Sequence, residues 1–427
     1  MNIRLKLIRA LVAGALVGMA GGAAAGGFGV ATQSGSGLGN AYAGGAAAVE
    51  DASVVWYNPA GMTFLPRGKQ LSVGLSVLKT SHKYEDAGST GAFSFPGSGN
   101  GGNGGVWAYV PTAYFTMDIN PTWSFGLALN APFGLSTDYD AGWRGQLTAL
   151  KSEVKSININ PSFAYKASDT VSIGAGLNVQ KLDAELTNCA SFPPPAPSCS
   201  NAAKLEADDV GYGFNLGVMW QTTPNTRIGA SYRSSIKFKL DGDASFSGTP
   251  AGNSNISADL RVPDSASVSV FHQNASKWEF MGDVTWTKWS TVQQLTVQRT
   301  SGPLAGATLT TLPFAWDDTW RFSVGANYKM SKQTKFRFGV AYDQTPTNDT
   351  TRTPRLPGQD RTWLGLGVQY KPTQAGTLEV GYAHEFIRDA NINAPAGPGG
   401  TTCTGNCLTG TFDNGADLLS IQYSHQF

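Results

Sequence analysis

The chain ends on "DLLSIQYSHQF", where Leu419, Ile421, Tyr423 and Phe427 alternate with Ser420, Gln422, Ser424 and Gln426 up to the last residue. Apolar and polar side chains that change places at every step define a strand with one dry and one wet face. The pattern recurs. In "RIGASYRSSIKFKL" (227–240), Ile228, Ala230, Tyr232, Ile236, Phe238 and Leu240 fall on one face, and Arg227, Arg233, Lys237 and Lys239 on the other. "TWRFSVGANYKM" (319–330) and "RTWLGLGVQY" (361–370) repeat it. A soluble sandwich also alternates, but here aromatics cluster near the strand ends, as they do at the two interfaces of a bilayer. Charged residues are only 14% of the chain, where about a quarter is usual. After the N-terminal segment no apolar run reaches the roughly 18 residues of a membrane helix. A transmembrane β-barrel reconciles these features.

The connections agree. Tight turns fall at Asn120-Pro121, Ser168-Asp169, Pro224-Asn225, Asn274-Ala275, Ser331-Lys332-Gln333 and Pro372-Thr373. Between them lie long polar segments at 85–106, 138–150, 188–208, 241–255, 300–316, 344–359 and 389–415. Strict alternation of short and long connections gives an antiparallel barrel of about 14 strands, with the turns on the periplasmic side. Residues 1–25 read as a signal peptide: Arg4, Lys6 and Arg9 precede a short apolar run and "AAA" at 23–25. Without those three cations, 28 basic residues (31 − 3) face 30 acidic ones. That balance excludes the basic footprint of a nucleic-acid binder.

Residues 26–69 show no alternation, and the barrel occupies 70–427. The leftover segment is rich in Gly and Ala but holds Val54, Val55, Trp56 and Tyr57 before an Asn58-Pro59-Ala60 turn. That apolar content argues against a disordered tail. We read the segment as a plug, or hatch, inside the lumen, with the turn folding it back against the wall. "GSGLGN" (35–40) follows no strand and opens no βαβ unit, so it is flexible backbone and not a dinucleotide fingerprint.

Four histidines, His82, His272, His384 and His425, lie far apart, and no nucleophile–base–orienter set marks an enzyme. No cofactor is implied. Four cysteines in an exported chain suggest two disulfides. Cys189 with Cys199 and Cys403 with Cys407 is the sequential pairing, one of three connectivities. Metal binding is the weaker reading, because neither pair has zinc-like spacing or a nearby His. Pro132 is the sharpest signal. Proline cannot donate to a ladder and a barrel has no edge to hide it on. With Gly134 two residues on, the third strand is expected to kink inward and leave a gap, where a simple bulge is the alternative. Asn58 is expected to bond the backbone that this kink exposes.

The chain resembles the FadL-type long-chain fatty acid transporters of Gram-negative outer membranes. "SGSGLGNAYAGGAAAVEDASVVWYNPAGM" is similar to that family's hatch, and "NAPFGLSTDY", "YRSSIKFKLDG", "LRVPDSASVSV", "WTKWSTVQQL", "DDTWRFSVGANY" and "PGQDRTWLGLGVQY" resemble its later segments in order. The terminal Phe427 resembles the signature that barrel assembly machinery reads. The resemblance implies an outer-membrane monomer that binds a hydrophobic small molecule and delivers it to membrane lipid. It implies a lateral exit at Asn130, Pro132, Phe133 and Gly134, a hatch moving around Asn58, Pro59 and Ala60, and Phe28 inserted at the high-affinity pocket. One departure concerns the cargo. Where the family carries cations near the ends of strands five and ten, this chain has Asp183 and Asp317, although Lys181 and Arg321 stand close by. Fatty acid is therefore the expected cargo, neutral monoaromatic hydrocarbons are the alternative, and a general polar-solute porin is the reading from another class.

Overall fold

The computed structural model describes residues 26–95, 97–190, 199–395 and 403–427; the expected signal peptide, 1–25, lies outside them. Fourteen antiparallel strands close into a barrel. Eight run unbroken: strand one is Lys69–Asp86, two Trp107–Asp118, four Lys151–Lys166, five Val171–Cys189, six Ala202–Thr223, eleven Thr334–Asp343, twelve Arg361–Tyr370 and fourteen Cys407–Gln426. The other six are interrupted. Strand three is Trp123–Asn130 and Gly134–Asp138, seven is Thr226–Arg233 and Ile236–Phe246, and eight is Ser254–Val262 and Ser265–Gln273. Nine is Trp278–Thr287 and Gln294–Arg299, ten is Thr308–Pro313 and Thr319–Lys329, and thirteen is Gly376–Ile387 and Ala390–Pro395. Strand fourteen closes the cylinder on strand one, from Gln70 opposite Gln426 to Asp86 opposite Gly410. Closure pairs every strand on both sides, which hydrocarbon demands of any sheet that crosses it.

The six tight turns lie where the sequence places them, but four of the long connections are shorter than expected. The ladder persists to Cys189 and resumes at Ala202, runs to Phe246 and resumes at Ser254, restarts at Thr308, and extends to Pro395 before Cys407. Strands five and six are 19 and 22 residues long, about twice what a bilayer needs. Above the membrane their outer faces carry Lys181, Asp183, Glu206 and Asp208, all exposed. Alternation of apolar with polar therefore ends while hydrogen-bond pairing continues. At membrane level the outer face is apolar, with Leu177, Tyr212, Val324 and Leu366 exposed. Trp123, Trp220, Tyr370 and Tyr423 stand exposed near the short turns as an interfacial girdle.

Strand seven corrects a second expectation. Ile228, Ala230 and Tyr232 do face outward, but Ile236, Phe238 and Leu240 are buried in the lumen at 2%, 0% and 2% exposure. The cause is one extra residue. Strand six advances by seven positions from Asn215 to Asp208 while strand seven advances by eight, from Arg233 to Asp241. The bulge at Ser234-Ser235 inverts the faces. Both of its amides are bonded: Ser234 N donates to Phe214 O (2.9 Å), Ser234 Oγ accepts from Phe214 N (2.9 Å), and Asp264 Oδ1 accepts from Ser235 N (3.0 Å) and from the Tyr232 hydroxyl (2.6 Å). The inversion gives the barrel an apolar lumen above the bulge.

Residues 26–68 thread this lumen. The one-turn helix Gly35–Leu38 packs on strands twelve, thirteen and fourteen, and the 3-10 helix Pro59–Phe64 lies against strands four, five and six. Deleting Ser235 is expected to return strand seven to one register, turning Phe238 and Leu240 to the outside and Lys237 and Lys239 into an apolar lumen. Unpaired buried ammonium groups cost several kcal/mol each, about enough to abolish assembly. Heat-modifiable gel migration is expected to be lost in the deletion and kept in Ser235→Ala.

Candidate functional site

The interruption of strand three is a proline effect. Strand two pairs with strand three only from Asp118 opposite Ser124 to Ala113 opposite Leu129. Beyond Asn130, the outer segment Gly134–Asp138 pairs with strand four and, among the described residues, with no other strand. The broken ladder is completed by the N-terminal segment. Val30 N donates to Pro132 O (2.8 Å), and Gly134 N donates to Phe28 O (2.9 Å). The Gln33 amide donates to Ala131 O (2.9 Å) and accepts from Asn130 Nδ2 (2.9 Å). On the other side Ser156 Oγ accepts from Phe133 N (2.8 Å) and donates to Phe133 O (2.7 Å). Asn130, Pro132, Phe133 and Gly134 are thus one constellation, and Gln33 and Ser156, which sequence reading missed, are the side chains that bond the kink from its two sides.

Asn58 does something else, which corrects the expectation above. It is fully buried, and its Nδ2 donates to Ala46 O (2.7 Å) and to Val218 O on strand six (2.9 Å). Its Oδ1 accepts from Ala60 N (3.1 Å), capping the 3-10 helix that Pro59 opens. The wall receives this turn through two glycines that face each other across the ladder, Gly174 and Gly217. A Cβ on Gly217 would stand 2.0 Å from Asn58 Oδ1, and one on Gly174 would stand 2.5 Å from Ala60 N. The Asn-Pro-Ala turn is a packing seat on strands five and six, distant in the ladder from Pro132.

Phe28 is buried in an aromatic nest, with ring centroids 5.7 Å from Phe133, 5.0 Å from Trp289 and 5.7 Å from Trp316. Leu182, Ile236, Phe238, Leu260 and Val262 extend the nest into the apolar upper lumen. Beside it lies a cavity of about 240 Å³ lined by Val30, Pro132, Phe133, Trp289 and Arg321, and also by Gln180, Asn215, Arg233 and Trp56. Of the two cations that the family resemblance nominates, only Arg321 reaches this cavity. It donates to Ala41 O (2.6 Å) and stands 5.3 Å over the Trp363 ring. Lys181 is next to buried Leu182 but on the opposite, outer face of strand five, ion-paired to Asp183 and to Asp208 (3.4 Å). Asp317 is exposed.

The hatch is fastened by charge as well as by fit. Glu50 meets Lys335 (3.2 Å) and Arg337 (3.1 Å) of strand eleven; Arg337 also bonds Glu379 (2.9 Å), and Lys335 also bonds Glu279 (3.1 Å). Asn40 of the hatch accepts from Arg337 Nη1 (3.2 Å) and donates to Asn327 (2.9 Å).

At the end of strand five, Cys189 forms a disulfide with Cys199. Cys403 and Cys407 do not, which departs from the sequential pairing. Cys407 is buried at the start of strand fourteen opposite Pro395, and Cys403 Sγ turns to Asn393 O (3.6 Å). Burial, with the neighbouring Cys407 thiol, holds the Cys403 thiol above the usual thiol range.

A membrane barrel whose lumen is filled by its own N-terminal segment, with an apolar cavity beside a broken strand, defines a class: channels for hydrophobic molecules. The family model described as "Outer membrane protein transport protein (OMPP1/FadL/TodX)" matches residues 16–427, and the chain belongs to that family. It is 28% identical over 399 residues to a long-chain fatty acid transport protein of Escherichia coli O6:H1, covering 84% of this chain and 86% of that one. Its fold matches the crystal structure of a Pseudomonas aeruginosa FadL homologue with a TM-score of 0.83 at 26% identity, over 94% of this chain and 100% of the other. The Pseudomonas putida toluene transporter TodX shares the fold, with a TM-score of 0.68 at 18% identity over 92% and 98% of the two chains. The protein is thus an outer-membrane transporter for hydrophobic compounds, not an enzyme.

Arg337→Ala is expected to strand Glu50 and Glu379 without their shared cation. Removing one member of a buried ion pair costs about 3–5 kcal/mol. The temperature of the gel-mobility transition is expected to fall, and conductance in a planar bilayer is expected to rise as the hatch loosens.

Proposed function

We propose that this protein carries long-chain fatty acids passively across the outer membrane and releases them sideways into the bilayer at strand three. One observation carries the reading: the wall at Pro132 is completed by residues 28–33 of the chain's own N-terminal segment, so moving that segment opens the wall. The ring that an incoming acyl chain would displace, Phe28, belongs to the residue whose carbonyl holds Gly134 N. Occupation of the nest is therefore coupled to release of the two backbone bonds that bridge the gap. In this scheme residues 26–69 act as the hatch and Asn58-Pro59-Ala60 as its fixed anchor, while Phe28 and Arg321 contact substrate. The name of the relative in Escherichia coli supports the cargo. Energy comes from the concentration gradient alone. The barrel works as a monomer, inserted by the assembly machinery through its Phe427-terminated strand.

Neutral monoaromatic hydrocarbons are the second reading, favoured by the outward, ion-paired placement of Lys181, which removes one cation from reach of a carboxylate. Growth of a transporter-deficient host on oleate, set against uptake of labelled toluene, separates the two. Rescue on oleate is the expected result, and toluene uptake without rescue moves the assignment. The exit route has its own test. Pro132→Val with Gly134→Val restores a ladder donor and fills the gap. Uptake is expected to drop to the level of the empty host while heat-modifiable migration is kept; normal uptake through a closed wall overturns lateral release.

A further inference from the structure

Among the described residues, Arg227, Arg233 and Arg321 line the lumen without a salt bridge, as does Arg355 of the 344–359 connection, which bonds Lys151 O (3.3 Å) and Ser152 Oγ (2.9 Å). Arg227 has Glu50 and Glu279 as electrostatic neighbours, and Arg321 has Asp343. Arg233 has no carboxylate among the described residues. Its guanidinium lies over the Trp56 ring at 3.4 Å, donates to Trp56 O (2.8 Å) and bonds Asn178 Oδ1. Those bonds leave guanidinium donors unused. A half-buried cation held only by neutral acceptors and a ring is a ready partner for an anion that enters the cavity.

The surroundings of Arg233 are rich in unused donors. Asn215, its ladder partner on strand six, accepts through Oδ1 from Asn160 (2.8 Å) and Asn178 (3.2 Å), which leaves its Nδ2 without a partner. Gln180 Nε2 is likewise unpartnered. Both side chains are 2% exposed and, with Arg233, line the cavity next to the Phe28 nest. Gly176 makes room for the Asn160–Asn215 pair: a Cβ there would stand 2.7 Å from Asn160 Nδ2 and 2.7 Å from Asn215 Oδ1. The cavity's other carboxylates are engaged elsewhere. Asp283 accepts from Ser267 (2.7 Å), Thr285 (2.7 Å) and Ser269, and Asp343 is the neighbour of Arg321 and Arg361.

We infer that Arg233, with the free amide donors of Gln180 and Asn215, is the seat for the carboxylate of a long-chain acid whose hydrocarbon tail lies along the Phe28–Trp289 nest. The inference rests on the fatty acid reading above and supplies the cation that Lys181 does not. A carboxylate is planar, carries one charge and only accepts, which matches a guanidinium fork flanked by N–H groups. An arene of the same size leaves those donors unpaired, and an alcohol offers them one neutral oxygen in place of two that share a charge.

The test compares binding of labelled oleate and labelled oleyl alcohol to the purified protein in detergent, in the wild type, Arg233→Gln, Arg233→Lys and Gln180→Leu, each first checked for heat-modifiable migration. The wild type is expected to prefer oleate. The preference is expected to fall about tenfold in Arg233→Gln and roughly threefold in Gln180→Leu, and to be largely kept in Arg233→Lys, in line with loss of a charge-assisted and a neutral hydrogen bond. Should Arg233→Gln not fold, Gln180→Leu decides. An unchanged preference in whichever of these folds overturns the assignment. Equal wild-type affinity for the two ligands overturns the carboxylate seat and leaves hydrophobic uptake standing, whereas wild-type binding of neither overturns the fatty acid reading along with it.

Discussion

A backbone amide in hydrocarbon has no water to bond, so each break in the ladder must be completed by something else in the chain. Every notable feature of this barrel follows from where the ladder breaks and what completes it. At Ser234-Ser235 the completing groups are side chains of the wall itself, and the break becomes a rigid bulge that inverts a face. At Pro132 the completing groups are Phe28, Val30 and Gln33, which belong to a different part of the chain. The first break shapes the lumen; the second ties the state of the wall to the position of the N-terminal segment.

The hatch is held by two unlike kinds of contact. On strands five and six it rests in a hollow made by missing side chains, where Gly174 and Gly217 admit the backbone of Pro59 and Ala60. On strand eleven it is held through Glu50 and Asn40 by charge-assisted hydrogen bonds to Arg337. Close packing depends little on ionic conditions, and ion pairs as enclosed as those of Arg337 are screened by salt far less than surface ones. Residues 28–33 use neither seat: they are tied by the bonds to the kink and by the packing of Phe28 among Phe133, Trp289 and Trp316.

Much of this was legible in the sequence, because the informative signals are local. Alternation located the strands, Asn and Pro located the turns, and Pro132 with Gly134 located the interruption. What stayed hidden depends on pairing between distant residues. Nothing near Gln33 says that its amide meets Ala131 and Asn130. Nothing in "YRSSIKFKL" says that one serine is extra, because both faces still alternate on either side of it. Asn58 was recognisable as a turn residue, but the wall it faces is chosen by two glycines more than a hundred residues away. Lys181 looked available because it stands two residues from Asp183, at the place where the family carries a cation, yet strand parity turns it outward while Leu182 turns in. Arg233 was placed correctly on the polar face, and only the folded barrel reveals that no carboxylate awaits it there.

The bulge in strand seven also bears on how the protein sits among its lipids. A barrel with uniform strands meets the membrane with a band of constant height, and whatever is apolar must be on its outside. Here the same sequence pattern supplies grease to the bilayer below the inversion and to the interior above it, while Lys237 and Lys239 turn outward. The rim is thus wetted on its exterior and oily within, the reverse of the arrangement at mid-membrane. Across the bulge the inner face of the wall thus passes from polar to apolar while the outer face passes from apolar to charged.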